Sequence, residues 1–453
     1  MNITNLNTDI NKIYFIGIGG ISMSSLADIA RRKGYHVAGY DRDSTALIDR
    51  LIGNGIKVNK THEPENLEGF DLVVYSAAIA DDNPELLRAK ELNIPCIKRS
   101  KFLGTIMLDY QNRIGVAGMH GKSTVTSIIS NIYLQAELDP TIVNGSEMTE
   151  ISGAYKLGNY DNFIFEACEY TDSFLDFYPT TAVILNVEMD HPDYFKDMNH
   201  IYDSFLKFIN IADTAIVNAD DDNINYIIKD YAKPVITFGI NNSADYQAVN
   251  IVYDYGFAEF DVMYRNEKLC AIKLSIPGSH NIYNALAGIA AAHQNGVAIE
   301  GIIKGVEMYK GAKRRFEFKH KYNDAFIYED YAHHPSAIKP NLSSVKKMEF
   351  NKVWCVYQPH MYSRTAELYN DFLTAFDALD DSDTLILVDI YAARENNIYG
   401  VTSKQLVNSI GKPNAIYIES FAETAEYLKK NISDGDIVLL MGAGDVYKIG
   451  DLI

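Results

Sequence analysis

Lys122 and Ser123 close the run Val116-Ala117-Gly118-Met119-His120-Gly121-Lys122-Ser123, whose residue types and spacing suit it to hold phosphate. An ammonium neutralises phosphate oxygens, the next hydroxyl can ligate Mg²⁺, and paired glycines let main-chain N–H groups approach an anion closely. A full Walker A loop would carry a glycine where Val116 stands, so this is a shortened form, and a tight turn with a solvated lysine is the other reading. Mg²⁺ keeps several waters and needs only one or two further protein oxygens or nitrogens. Glu166, closing the apolar run Phe163-Ile164-Phe165, and His191, after Asn186-Val187-Glu188-Met189-Asp190, are candidates to join Ser123 on the metal. A capping carboxylate and a loop histidine are the alternatives. Gly17-Ile18-Gly19-Gly20-Ile21-Ser22 followed by Asp41 has the outline of a dinucleotide fingerprint with Ser22 in the third glycine position. It fits NAD, the diphosphate of a sugar nucleotide such as a UDP derivative, or a plain glycine-rich turn. Arg314-Arg315 and Arg364 can clamp carboxylates or phosphates through two hydrogen bonds, although surface arginines are common. His333 and His334 are adjacent and point in different directions, which argues against one shared metal.

These groups need a scaffold. The strand Ile13 to Ile16 enters the first glycine turn, a helix carries Met23, Leu26, Ala27 and Ala30 to a stop at Gly34, and further strands end at Asp41 and Tyr75. The strand Ile114 to Ala117 enters the phosphate loop, and the helix after it repeats apolar residues at Val125, Ile128, Ile129 and Ile132, so the loop sits at a helix N-terminus. Strands over Phe163–Glu166 and Ala182–Asn186 bring polar ends to the same side. A β-rich stretch spans 235–276, and a helix holds His280, Asn281 and Asn284. Strands at Ala325–Tyr328, Val353–Tyr357, Thr384–Val388 and Ile437–Leu440 build the last unit. Alternating strands and helices predict parallel, doubly wound sheets in three mononucleotide-like units, with breaks near Ile106 and Gly311.

With 453 residues the chain has room for about three domains. A net charge of −19, from 41 basic and 60 acidic residues, opposes a nucleic-acid or membrane surface. The four scattered cysteines suggest neither zinc nor a disulfide framework, and nothing reads as a signal peptide or a membrane span. The expectation is a cytoplasmic enzyme of small molecules, monomer or homodimer, with no nucleic-acid partner.

Taken together, Phe15-Ile16-Gly17-Ile18-Gly19-Gly20-Ile21, Gly118-Met119-His120-Gly121-Lys122-Ser123-Thr124, Asn186-Val187-Glu188-Met189-Asp190-His191, His280-Asn281-Ile282-Tyr283-Asn284-Ala285, Arg314-Arg315-Phe316, Asp330-Tyr331-Ala332-His333-His334-Pro335 and Gln358-Pro359-His360-Met361-Tyr362-Ser363-Arg364-Thr365 resemble the Mur ligase family. These are ATP-dependent enzymes that join an amino acid or peptide to a cell-wall precursor. The likeness runs from Ile13 to about Gly450 and is nearest to the members that join L-alanine to UDP-N-acetylmuramate through an acyl phosphate, giving ADP and phosphate. It implies an α/β fold of three domains: a Rossmann-like UDP-sugar domain over 1–107, a central P-loop ATPase domain over 108–311, and a Rossmann-like amino-acid domain over 312–453. It also implies ATP and Mg²⁺ held by Gly118, Met119, His120, Gly121, Lys122, Ser123 and Thr124, with Ser123, Glu166 and His191 on the metal. Asn281 and Asn284 would lie by the adenine, Asp330 by the ribose, and Arg315 on the nucleotide. Gly17, Gly19, Gly20, Ser22, Asp41 and Ser76 would line the UDP-sugar site. Tyr331, His333 and Arg364 would surround the amino acid, and Lys122, Glu166, His191 and Arg364 would carry the catalysis. Closure of the last domain on a hinge near Gly311 would exclude water.

The sequence departs from the family pattern at Met119, Ser123, Cys168, Tyr170 and Met361, the last standing where many relatives have a second arginine. A Mur-type ligase adding another amino acid or a peptide is the alternative. More remote are an NAD-dependent oxidoreductase, which leaves Lys122-Ser123 without a role, and an inactive UDP-sugar-binding protein.

Overall fold

The computed structural model describes residues 10–453 except 77–78, 192–193, 230, 312–313, 315 and 394, so Arg315 lies outside the described residues. Two compact units emerge: Met1–Val249 with Asp261–Ala271 and Tyr283–Val306, and Asn250–Phe260 with Ile272–Ile282 and Glu307–Ile453.

The first unit opens with β1 (Lys12–Ile16), β2 (His36–Tyr40), β3 (Lys57–Asn59), β4 (Leu72–Tyr75) and β5 (Cys96–Lys98), a parallel sheet in the order β3-β2-β1-β4-β5. Both faces are covered, which is why Ile13, Tyr14, Phe15 and Ile16 are all fully buried and β1 reads as an unbroken apolar run. The strand order reverses at β1, so the glycine turn after Ile16 opens on the crevice where open α/β sheets bind ligands. The helix Ile21–Arg32 ends as expected, with Gly34 at φ +94° just past its cap.

Next come β6 (Asn112–Ala117), β7 (Thr141–Met148), β8 (Gly153–Lys156), β9 (Asn162–Glu166), β10 (Thr181–Ile184), β11 (Thr214–Asn218), β12 (Val235–Gly239), β13 (Tyr246–Asp254), β14 (Phe257–Tyr264) and β15 (Glu267–Pro277). Their order is β15-β14-β13-β12-β11-β10-β6-β9-β7-β8. β6 is paired in parallel by β9 on one side and β10 on the other, so the loop after β6 is flanked by the ends of both. The stripe Val125, Ile128, Ile129, Ile132 lies buried on this sheet.

One hydrophobic core serves the first sheet and the β6 to β11 part of the second, running from Ile13, Phe15 and Leu26 through Phe102 and Met107 to Phe163, Phe174 and Phe208. Polar ties cross it. Asp28, fully buried, accepts from the Tyr155 hydroxyl at 3.0 Å and the Asn54 amide at 3.1 Å, and it pairs with Arg31 and Arg32. A buried carboxylate is tolerable only with partners of this kind. Ser100 donates to Asp176 at 2.5 Å, and the Tyr178 N–H points at the Met107 sulfur.

In the second unit, β16 (Glu317–Tyr322), β17 (Ala325–Asp330), β18 (Val353–Tyr357), β19 (Thr384–Leu387), β20 (Ala415–Tyr417) and β21 (Ile437–Met441) form a sheet in the order β16-β17-β21-β18-β19-β20, parallel except at the β16 edge. β21 lies between β17 and β18, so the residues after Asp330, Tyr357 and Met441 meet at one carboxyl end.

Candidate active site

Gly118 and Gly121 take φ of +140° and +84°, conformations that L side chains avoid. A Cβ at Gly118 would stand 3.1 Å from Leu185, and one at Gly121 2.8 Å from the Asn284 Oδ1. The helix Lys122–Gln135 starts at Gly121 with no side-chain cap, so its leading N–H groups are left for a ligand. Asn186 buckles the loop: the His120 N–H donates to its Oδ1 at 2.8 Å and its amide returns a bond to the His120 carbonyl at 3.0 Å. The Met119 side chain is buried in the core, which accounts for an apolar residue at that position. Asn284 thus reaches the loop, whereas the Asn281 amide donates to the Pro277 carbonyl at 2.7 Å.

Lys122 bends back over this loop, with Nζ 2.6 Å from the Gly118 carbonyl and 3.0 Å from the Glu169 carboxylate. The Ser123 hydroxyl donates to Glu166 at 2.7 Å, and the Gly145 N–H bonds the same carboxylate oxygen at 3.1 Å. Ser123 and Glu166 are therefore brought together. His191, at φ +50°, places Nε2 3.5 Å from Glu169 instead, under the Tyr170 ring. Glu169, buried and in contact with both Lys122 and His191, is a site residue that the sequence marks only by its place three residues past Glu166. Thr124 follows in the first helical turn.

A cleft of about 440 Å³ opens beside the loop, lined by His120, Asn186, Glu188, Asp220, Asp221 and Asn223. Asp220 shapes its wall, accepting from the N–H groups of Ile240, Asn241 and Asn242 and from the Tyr283 hydroxyl. Burial pushes its carboxyl up, but these four donors outweigh burial and hold it below the usual carboxylate range.

At the first glycine turn, the N–H groups of Gly17 and Ile18 both donate to the Tyr40 carbonyl, and Gly19 donates to Asp41 at 2.8 Å. Asp41 thus pins the turn. Gly20 precedes the helix without a side-chain cap, Ser22 stands in its first turn, and Ser76 follows β4 at the same end of the sheet.

In the second unit Asp330 is spent internally: its carboxylate accepts from Phe316 N–H, Ala332 N–H and the Asn341 amide at 2.8 to 2.9 Å. Arg314 lies between the Tyr331 and Tyr447 rings, 4.9 and 4.7 Å from their centroids, and donates to the carbonyls of Gly442 and Gly444. Tyr331 and His333 pack edge to face, and the His333 Nδ1 meets the Tyr331 carbonyl at 3.0 Å. Arg364 opens on a separate cavity of about 280 Å³ with His334, Met361, Ser363, Glu367 and Leu368. Between these groups stands His360, 5.9 Å from His333 and under the charge of Arg364. In the sequence it stands only as part of the run Gln358-Pro359-His360-Met361-Tyr362-Ser363-Arg364-Thr365.

Known proteins resemble this chain along nearly its whole length. Residues 12–111, 116–292 and 314–444 match, in turn, the Mur ligase family catalytic domain, the Mur ligase middle domain and the Mur ligase glutamate ligase domain. UDP-N-acetylmuramate–L-alanine ligase of Clostridium tetani is 47% identical over 98% of both chains, and that of Acetivibrio thermocellus is 46% identical over 97% of this chain and 95% of its own. Among solved structures, a UDP-N-acetylmuramate–alanine ligase from Thermotoga maritima superposes with a TM-score of 0.72 at 25% identity, over 97% of this chain and 98% of that one. A murein peptide ligase from Psychrobacter arcticus shares the fold, with a TM-score of 0.63 at 23% identity over the same shares.

Proposed function

The chain belongs to the Mur ligase family, and from that premise we propose that it joins L-alanine to UDP-N-acetylmuramate with ATP, releasing ADP and phosphate on the route to peptidoglycan. The observation that carries the chemistry is the pairing at the phosphate loop: Lys122 over the loop carbonyls, and Ser123 bonded to Glu166, at an uncapped helix start. A carboxylate resists attack by an amine at neutral pH, and phosphorylation supplies the leaving group. The loop N–H groups and Lys122 would hold the phosphates and stabilise the charge on the transferring group. Ser123 and Glu166 form an oxygen donor set that suits Mg²⁺, and His191, which stands against Glu169, would join them on the metal. Mg²⁺, when bound, neutralises phosphate charge.

The glycine turn pinned by Asp41 would take the UDP-sugar, Asn281, Asn284 and Asp330 the nucleoside side of ATP, and Tyr331, His333 and Arg364 the amino acid. The domains would be 1–107, 108–311 and 312–453. Among the described residues no helix is long and apolar enough to cross a membrane; a cytoplasmic monomer or homodimer is our reading. The test is to supply UDP-N-acetylmuramate, ATP, Mg²⁺ and each amino acid in turn, weigh the products and chromatograph the nucleotide. L-alanine addition with ADP is expected. AMP with pyrophosphate would overturn the mechanism, and faster use of a peptide would move the chain toward the peptide-adding relatives.

A further inference from the structure

We propose that His360 accepts the proton that L-alanine must lose before its nitrogen can attack, an assignment that rests on the acyl-phosphate reading above. An α-amino group enters as an ammonium with no lone pair to offer. A carboxylate clamped by Arg364 leaves its α-nitrogen within a few bonds of that guanidinium, so the acceptor must stand next to Arg364 and be held in place. His360 meets both conditions. Its ring stacks on Tyr391 at 5.3 Å and 24°, and its main chain is locked on both sides of the same residue: the Tyr391 N–H donates to the Pro359 carbonyl at 2.8 Å and the Met361 N–H to the Tyr391 carbonyl at 2.9 Å. Two residues before His360, Gln358 accepts from the Val446 N–H and donates to the Asp389 carbonyl.

The His360 Nδ1 is buried without a bond to another residue, which leaves Nε2 as the nitrogen for a ligand. Burial, the Arg364 charge and the His333 ring hold this imidazole below the ordinary histidine value, against the opposing effect of a hydrogen bond to its own main chain and of Glu395. At neutral pH it is a free acceptor. His333, by contrast, has its Nδ1 engaged with Tyr331.

The step balances. One ammonium proton passes to His360 Nε2 and on to water, the nitrogen pair forms the C–N bond, the phosphate departs with the C–O electron pair, and the second N–H proton passes to the departing phosphate as the amide forms. Hydroxylamine separates this role from folding and from substrate activation, because it is already neutral at pH 7.5 and captures an acyl phosphate as a hydroxamate.

His360→Gln should lose about a hundredfold or more in kcat with L-alanine. It should make hydroxamate within about twofold of the parent rate, and recover alanine use as the pH is raised toward 9.5, where free amine accumulates. The parent's kcat/KM for L-alanine should carry an acid limb that the variant lacks, with its midpoint below about 6.5. The proposal is overturned if the variant keeps more than a third of the L-alanine rate, if both nucleophiles fail equally, or if His333→Gln gives this signature and His360→Gln does not. Absence of hydroxamate from the parent enzyme would instead remove the acyl phosphate, and this assignment with it.

Discussion

At the phosphate loop side chains bond to one another, Lys122 to Glu169 and Ser123 to Glu166, alongside bonds to the Gly118 carbonyl and the Gly145 N–H. At the carboxyl end of the third sheet they bond mostly to main chain, Asp330 to Phe316 and Ala332, Arg314 to Gly442 and Gly444, Gln358 to Val446. The first kind of pairing can be exchanged for phosphate and metal without disturbing the backbone. The second cannot be given up without releasing a loop. Substitutions in the first region should therefore act on rate, and those in the second on stability, except at the few groups there that remain uncommitted.

The sharpest break in that contrast is Lys122→Ala. Ligation should fall by about a hundred- to a thousandfold, as when one charge-stabilising donor is lost, while UDP-N-acetylmuramate binding by calorimetry stays near the parent value. A variant ligating at more than a tenth of the parent rate would remove the lysine from the chemistry.

Asp330→Ala should act through the fold. It strands two main-chain donors and one amide, at about 1–3 kcal/mol for each buried group left unpaired. A loss near 3 kcal/mol in chemical denaturation is expected, and an unchanged midpoint would show that the loop does not depend on it.

Arg364→Lys tests an uncommitted group. A point charge cannot reproduce the guanidinium fork, so the KM for L-alanine should rise about tenfold with the KM for ATP nearly constant. A shift in melting with no shift in KM would place Arg364 among the loop-holding residues after all.

The smallest effect lies at Asp220, whose folded carboxyl sits low. Its stabilisation is present above the unfolded value of about 3.9 and is lost as pH falls through the folded one. Asp220→Asn should cost about 1 kcal/mol at pH 7 and flatten the acid limb of stability against pH; parallel curves for parent and variant would refute the assignment.

Much of this was readable where a polar residue ends an apolar run. β6, β9 and β18 lie where alternation and burial place them, and Ser123 meets Glu166 because both leave adjacent parallel strands. The strand expected over Ala182–Asn186 stops at Ile184, since Asn186 turns aside to grip the loop. Glu169 was illegible because residues 170–176 are irregular, with Thr171 and Asp172 left-handed, and carry no period. Arg314 gave no hint of its sandwich, as Tyr447 is remote in sequence and only β21, beside β17, brings it near. Short strands such as β3, β5 and β20 offer too few residues for a pattern.

The core shared by the first two sheets has a consequence for how this protein comes apart. Residues 10–107 released on their own would bare Phe102, Leu103 and Met107 and leave Asp28 without the Tyr155 hydroxyl. The first sheet therefore has no private melting transition: in native-state hydrogen exchange the amides of β1, β2 and β4 should open at the same free energy as those of β6 and β9, as one cooperative block.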